Sequence, residues 1–301
     1  MSSKPKEQKY KSSDRTFWQE IWHRFKKNRR AVVSMIFVIV ITTIAIGTIV
    51  IDLATNNAIY NQYVIKQNIV KRFQGPSLEH PFGLDEFGRD MLFRMIWAIR
   101  YSIFLGTFAV AIAASAGVLL GALAGYYGKM LDNVIMRVMD VLLAIPSILL
   151  AIAIVAALGV NLVNLLIAVA ISYIPAYARL VRASVMVVKD QEYVEAVRAL
   201  GASDSRILFQ HILPNAMSPA IVQASLGVAW AILALAMMSF IGLGIQPPAP
   251  EWGAMLSNAR AYIRQSWHLT VIPGLGIALS VLAFNLIGDG LRDALDPRLK
   301  S

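Results

Sequence analysis

The chain has 301 residues, 57% of them hydrophobic, with 28 Lys and Arg against 18 Asp and Glu and a net charge of +10. So apolar a composition, with a positive mean hydropathy, exceeds what a soluble domain needs and marks an integral membrane protein. The positive charge does not point to nucleic acid, because the cations cluster beside apolar runs and no aromatic-basic motif accompanies them. With no cysteine, disulfides, haem thioether links and zinc-thiolate sites are excluded.

In chain order, a polar Lys/Ser-rich tail runs to Asp14. Phe17, Trp18, Ile21, Trp22 and Phe25 then recur at helical spacing, followed by Arg24, Lys26, Lys27, Arg29 and Arg30. This pattern predicts a helix lying in the headgroup region with its aromatic side down. Ala31 to Ile51 is a first span of about 31 Å as a helix. It lacks the short core and small-residue cleavage site of a signal peptide, so it reads as an anchor. A polar segment, 52–100, ends in HPFGLDEFGRDMLFRMIWAIRYS. Gly83 and Gly88 beside Asp85 and Asp90 make ordinary turns, which by themselves give a structured loop.

Five further apolar runs are long enough to span: Ile103 to Tyr126, Val141 to Leu158, Leu162 to Ala178, Ala220 to Ile245 and Leu269 to Gly288. Six transmembrane helices and an all-α fold follow. Pro146 and Pro175 fall inside spans, where they would kink a helix. Gly117, Gly121 and Gly125 recur every fourth position and predict close helix packing.

Between the fourth and fifth spans lies a polar island, Asp190 to Pro214, DQEYVEAVRALGASDSRILFQHILP. Asp190 can cap a first helix that Gly201 stops in a left-handed conformation; Ser203 or Asp204 can cap a second, and Pro214 limits it. Ala196 and Ala199 give the first helix a small-residue face, and Val194, Val197 and Leu200 can anchor its other side. Spacing alone leaves open whether this is a solvated loop or a docking surface. Beyond the fifth span, Pro247, Pro248 and Pro250 precede Trp252, Met255, Leu256, Ala259, Tyr262 and Ile263, which share one helical face. They predict a helix on the outer surface.

With the N-terminus inside, the inner segments carry 20 of the 28 Lys and Arg. That bias places both termini and the Glu195 loop in the cytoplasm.

Glu195-Ala196-Val197, Gly201 and Ile212-Leu213-Pro214 resemble the EAA loop of the permeases of ATP-binding-cassette importers, with Val197 in place of the second alanine and His211 where many members have isoleucine. In that family the loop is the coupling helix that sits in a cleft of a separate ATPase. Phe82-Gly83-Leu84-Asp85 and Gly88-Arg89-Asp90 resemble the FGTD-GRD signature of dipeptide, oligopeptide and nickel permeases, with Leu84 replacing threonine. GLGIQPPAPEWGAML and FNLIGDGLRDALDPRLK are similar to the dipeptide and glutathione branch. The resemblance implies a type I importer permease of the MetI-like fold in the cell membrane. Its regions are a cytoplasmic tail with an interfacial helix (1–30), a first span with an extracytoplasmic segment (31–100), a permease core (101–290) containing the coupling loop (190–214), and a cytoplasmic tail (291–301). It also implies a second, homologous permease subunit, two cytoplasmic ATPase subunits and an extracytoplasmic binding protein, with a peptide, glutathione, nickel or haem as cargo.

The residues bear on mechanism independently. The only Gly-Lys pair, Gly128-Lys129, has Leu123 where a P-loop needs glycine and Met130 where it needs Ser or Thr, so no ATP site is read here. His23, His80, His211 and His268 lie on separate segments without ligand spacing, so no metal or other cofactor is expected. No nucleophile motif marks a membrane enzyme. A secondary transporter would place Asp, Glu, Lys or Arg within the bilayer; the predicted cores of the last five spans hold none, with Asp140 and Asp289 at their ends. The expected role is therefore a non-catalytic permease driven from outside the membrane.

Overall fold

A computed structural model of the protein describes residues 17–295. The polar tail to Asp14, the side chains of Phe17 and Trp18, and the closing residues with Arg298 and Lys300 lie outside the described residues. Among those described, every regular element is helical, and the one sheet-like pairing is an isolated bridge between Leu84 and Asp90.

Helix α1, Phe17–Lys27, is followed by Asn28, whose side chain accepts from the Ala31 amide and caps α2, Arg29–Ala54. Part of the apolar face of α1 packs on protein. Ile21 and Phe25 are buried with Ala31 and Ala294 near the end of α12, His268–Leu295. Gly290 makes the room: a Cβ there would stand 3.2 Å from the Phe25 ring and closer still to Ala31. Trp22 alone among the described aromatics of α1 remains largely exposed, with Lys26 Nζ 4.8 Å from its ring centre.

The second span is longer than its apolar run. Helix α3, Met91–Tyr127, has 37 residues, about 56 Å, nearly twice the hydrocarbon thickness. It begins twelve residues before Ile103 because Asp90 caps it, accepting from the Leu92 and Phe93 amides at 2.8 and 3.2 Å. Arg94 and Arg100 therefore belong to the same helix as the second span, N-terminal to its uncharged core of Ile103 to Tyr126. Arg94 is buried and Arg100 half-buried, and both are paired: Arg94 Nε lies 3.4 Å from Asp85, and Arg100 Nη1 donates to Asp52 of α2 at 2.5 Å. Trp97 Nε1 donates to the same Asp52 carboxylate.

The third span is also corrected. The chain forms α4, Lys129–Leu143, and α5, Ser147–Leu158, which meet at 89°. Pro146 does not kink a continuous helix. It sits at the N-cap of α5 in an extended conformation, since the residue before a proline disfavours helical backbone and its own amide hydrogen is missing. Among the described residues, five helices are long and apolar enough to cross a membrane, and the bent pair makes the sixth crossing when counted as one.

Helix α6, Leu162–Lys189, passes through Pro175 and runs eleven residues beyond Ala178. It packs backbone to backbone on α3. A Cβ on Gly117 would lie 2.8 Å from the Ile174 carbonyl oxygen, one on Gly121 3.0 Å from the Arg182 amide, and one on Gly125 2.8 Å from the Arg182 carbonyl oxygen. Tyr177, 1% exposed, plugs the joint where α10, Ser218–Phe240, crosses, and its hydroxyl donates to the Gln223 carbonyl. The largest core gathers residues of α2, α3, α5, α6, α10 and α12.

The helix expected after the prolines is present as α11, Trp252–Ala259, capped by the buried Glu251, which accepts from the Gly253 and Ala254 amides at 3.0 and 2.8 Å. Burial pushes the Glu251 carboxyl above its ordinary value, and these two donors pull it back. Trp252, Met255 and Ala259 are buried, but Ile263 lies past the helix end and is exposed. The fifth span ends at Phe240 rather than Ile245, because Gly242 takes φ +86° and turns the chain.

Candidate functional site

The polar island begins where α6 ends. Asp190 closes α6 rather than capping the next helix; Gln191 takes the N-cap position of α7, Glu192–Ala199, without a side-chain bond. The cause is the length of α6, whose last turn uses Asp190. Gly201 follows α7 with φ +81°, a left-handed stop that costs an L-residue conformational energy. Ser203 then precedes α8, Asp204–Arg206, with its carbonyl accepting from the Ile207 amide. The helix widens into a π turn, Ile207–Ile212, and resumes as α9, Leu213–Ala216. Pro214 does not end it: at the start of α9 its missing amide hydrogen is not needed.

The loop has two sides. Val194, Ile207, Leu208 and Ile212 are buried with Tyr126, Val181, Val185 and Val188 in a core separate from that of the main bundle. Glu195, Ala196, Ala199 and Gly201 are exposed, as is Pro214; Leu213 is partly buried. Leu200 was expected to anchor α7, yet it is 88% exposed, because it caps the helix and leaves the Val194 face. Phe209 and Tyr193 add further exposed apolar surface. The loop thus presents small and apolar groups outward from a locked base. Tyr193 Oη, Asn215 Nδ2 and the His211 carbonyl tie α7 to the π turn. Tyr126 also binds the loop, through Asp204, and its carbonyl accepts from Lys189 at the end of α6; sequence reasoning missed both contacts. No local spacing pairs Tyr126 with Asp204, 78 positions apart.

The Phe82 to Asp90 segment is closed in on itself. Asp85, 3% exposed, accepts from the Phe87 and Arg89 amides at 2.9 Å each and from Arg89 Nε at 2.6 Å. Arg89 also reaches Glu86 at 3.4 Å, and Arg94 Nη1 donates to the Val64 and Pro248 carbonyls. Burial, and then the Asp85 carboxylate, push the Glu86 carboxyl above its ordinary value. Gly83 and Gly88 have φ of +74° and +71°, and a Cβ on Gly83 would meet the Gln74 carbonyl at 2.6 Å and His268 Nε2 at 2.8 Å. Leu84 is buried and Phe82 packs on the main core. The segment joins 64, 248 and the start of α3 into one cap. Among the described residues, no group of three or more His, Cys, Asp or Glu could hold a metal ion.

A bundle of this kind, with five or six candidate spans and a polar loop packed beneath the long helices, is that of a polytopic membrane protein. The chain belongs to the binding-protein-dependent transport system inner membrane component family, whose model matches residues 117–301. A second model, the N-terminal TM domain of oligopeptide transport permease C, matches residues 16–76. The chain is 48% identical to a dipeptide transport system permease protein of Alkalihalophilus pseudofirmus, over 94% of this chain and 91% of that one. It is 48% identical to a glutathione transport system permease protein of Escherichia coli (95% and 92% covered) and 45% identical to one of Pectobacterium atrosepticum (96% and 94%). A methionine ABC transporter solved in inward-facing conformations aligns with TM-score 0.56 at 17% identity, covering 68% of this chain and 98% of that one. An amino acid ABC transporter aligns with TM-score 0.53 at 17% identity, covering 67% and 94%. The fold is that of the type I ABC importer permeases, and the protein is a multi-pass membrane permease subunit.

Proposed function

We propose that this chain is the membrane permease of an importer that carries a dipeptide or oligopeptide and is driven by ATP hydrolysis in separate subunits. The observation that carries the coupling role is the two-sided loop: Ala196, Ala199 and Gly201 stand exposed for a close-fitting partner, while Val194, Ile207 and Ile212 fix the opposite side. A surface so built moves as a unit when pushed. The partners are two cytoplasmic ATPases at this loop, a second homologous permease and an extracytoplasmic binding protein at the cap around Asp85. Peptide cargo is supported by the dipeptide permease among the relatives, and glutathione, itself a peptide, is favoured equally by the glutathione permeases.

Orientation follows from the 20-to-8 distribution of Lys and Arg between inner and outer segments. In this cysteine-free chain, Ser203→Cys is expected to react with an impermeant thiol reagent only after permeabilisation, and Asn258→Cys from outside intact cells. Asn258 is exposed, whereas neighbouring Ser257 is half-buried and donates to the Phe240 carbonyl. Labelling of both from one side would refute the arrangement.

The energy source is tested in proteoliposomes holding the full complex and its binding protein. Import of a labelled dipeptide or glutathione is expected to persist when an ionophore collapses the proton gradient and to stop without ATP. Accumulation by this chain alone on a pH or sodium gradient would instead identify a secondary transporter.

A further inference from the structure

Apolar packing is not the loop's only attachment to the long helices. Tyr126, in the last turn of α3, is 4% exposed, and its hydroxyl donates to Asp204 Oδ1 at 2.6 Å. Its backbone carbonyl accepts from Lys189 Nζ at 2.6 Å, and that ammonium lies 5.5 Å from the centre of its ring. Lys189 is the last residue of α6 and Asp204 the first of α8. One tyrosine therefore holds the chain just before α7 and just after it. The apolar contacts beneath the loop are non-directional. A hydrogen bond from a buried phenol to a carboxylate is directional and charge-assisted, so it fixes the loop's position against α3.

We propose that the Tyr126–Asp204 hydrogen bond transmits a displacement of the loop to α3, making both side chains positioning residues for transport. This rests on the reading of the loop as the ATPase contact. Displacement at Tyr126 carries α6 along, because Gly121 and Gly125 hold α3 against its backbone at Ala178 and Arg182.

The test uses the full complex with binding protein in proteoliposomes, comparing Tyr126→Phe, Asp204→Ala and Asp204→Asn by uptake and ATP hydrolysis in the same preparation. The probe is a labelled Ala-Ala dipeptide, or glutathione if the parent complex imports that instead. Tyr126→Phe and Asp204→Ala are expected to lower cargo imported per ATP hydrolysed by about tenfold, the scale of one hydrogen bond to a charged group. The double variant should be no worse than either single one. Asp204→Asn keeps an oxygen acceptor and should recover most of the ratio. Cargo per ATP equal to the parent's in the first two variants overturns the proposal. So does a parallel fall of uptake and hydrolysis in Tyr126→Phe, which keeps the ring in the core; the bond would then be only a brace. The underlying reading fails separately: if Ala196→Trp leaves ATPase co-purification unchanged, the loop is not the contact, whatever Tyr126 does.

Discussion

Replacing Asp85 with alanine is expected to destabilise the chain by about 3–5 kcal/mol, the usual cost of removing one partner from a buried ion pair. The carboxylate answers four groups: the Phe87 and Arg89 amides, Arg89 Nε at 2.6 Å and Arg94 Nε at 3.4 Å. Arg89 and Arg94 are each 4% exposed, so alanine would leave two guanidinium groups away from water with only Glu86, 3.4 Å from Arg89, and the Val64 and Pro248 carbonyls at Arg94 as partners. Asn at this position keeps an oxygen for the amides but loses the charge, and should fall between the two. Thermal unfolding of the detergent-solubilised variants checks this; a midpoint for Asp85→Ala equal to the parent's would show that the cap is not held by this cluster.

The second large effect is expected from Gly121→Leu. A Cβ at Gly121 collides with the Ala178 carbonyl oxygen and stands 3.0 Å from the Arg182 amide. The obstacle is helical backbone, which cannot rotate aside as a side chain would. The cost should reach or exceed the ~3 kcal/mol upper end of ordinary overpacking, because α3 and α6 must separate along their joint. Gly47→Leu on α2 and Gly274→Leu on α12 are the controls, since nothing stands within 4 Å of either Cβ position. Loss of folded protein in the first variant and normal recovery in the controls is the expected result. Normal recovery of all three would mean that the glycine stripe is not what holds the bundle.

Much of this fold was legible because lipid imposes long apolar runs and close packing imposes small residues. The stripe Gly117, Gly121 and Gly125 announced a helix joint before its partner was known, and Gly201 announced its left-handed turn. Helix ends were less legible, for a physical reason. Apolarity marks where lipid begins, whereas hydrogen bonding and caps mark where a helix ends. Asp90 therefore starts α3 well outside the apolar run, and α6 runs on to Lys189 through polar residues. In the candidate site, the exposed small residues of α7 could be read from spacing of three and four. The contacts under them could not. Asp204 looked like a helix cap and instead accepts from Tyr126, and Leu200 had the right composition for an anchor but lies one residue past the helix. Such pairings depend on how distant segments are brought together, which no local pattern encodes.

The corner between α4 and α5 constrains which side of the bundle can meet acyl chains. The 12 residues of α5 reach only about 18 Å, short of the ~30 Å hydrocarbon thickness, so the non-helical backbone around Ile145 cannot be set wholly outside the membrane by α5 alone. Peptide groups off a helix are not tolerated against lipid tails; they require water or another protein surface. Helix α2, by contrast, keeps its backbone bonded along its length and exposes Val33, Ile36, Val40 and Val50. The bundle is therefore chemically lopsided, with α2 suited to an oily surrounding and the α4–α5 corner excluded from one. At hydrocarbon depth that corner would call for water or a protein surface beside it.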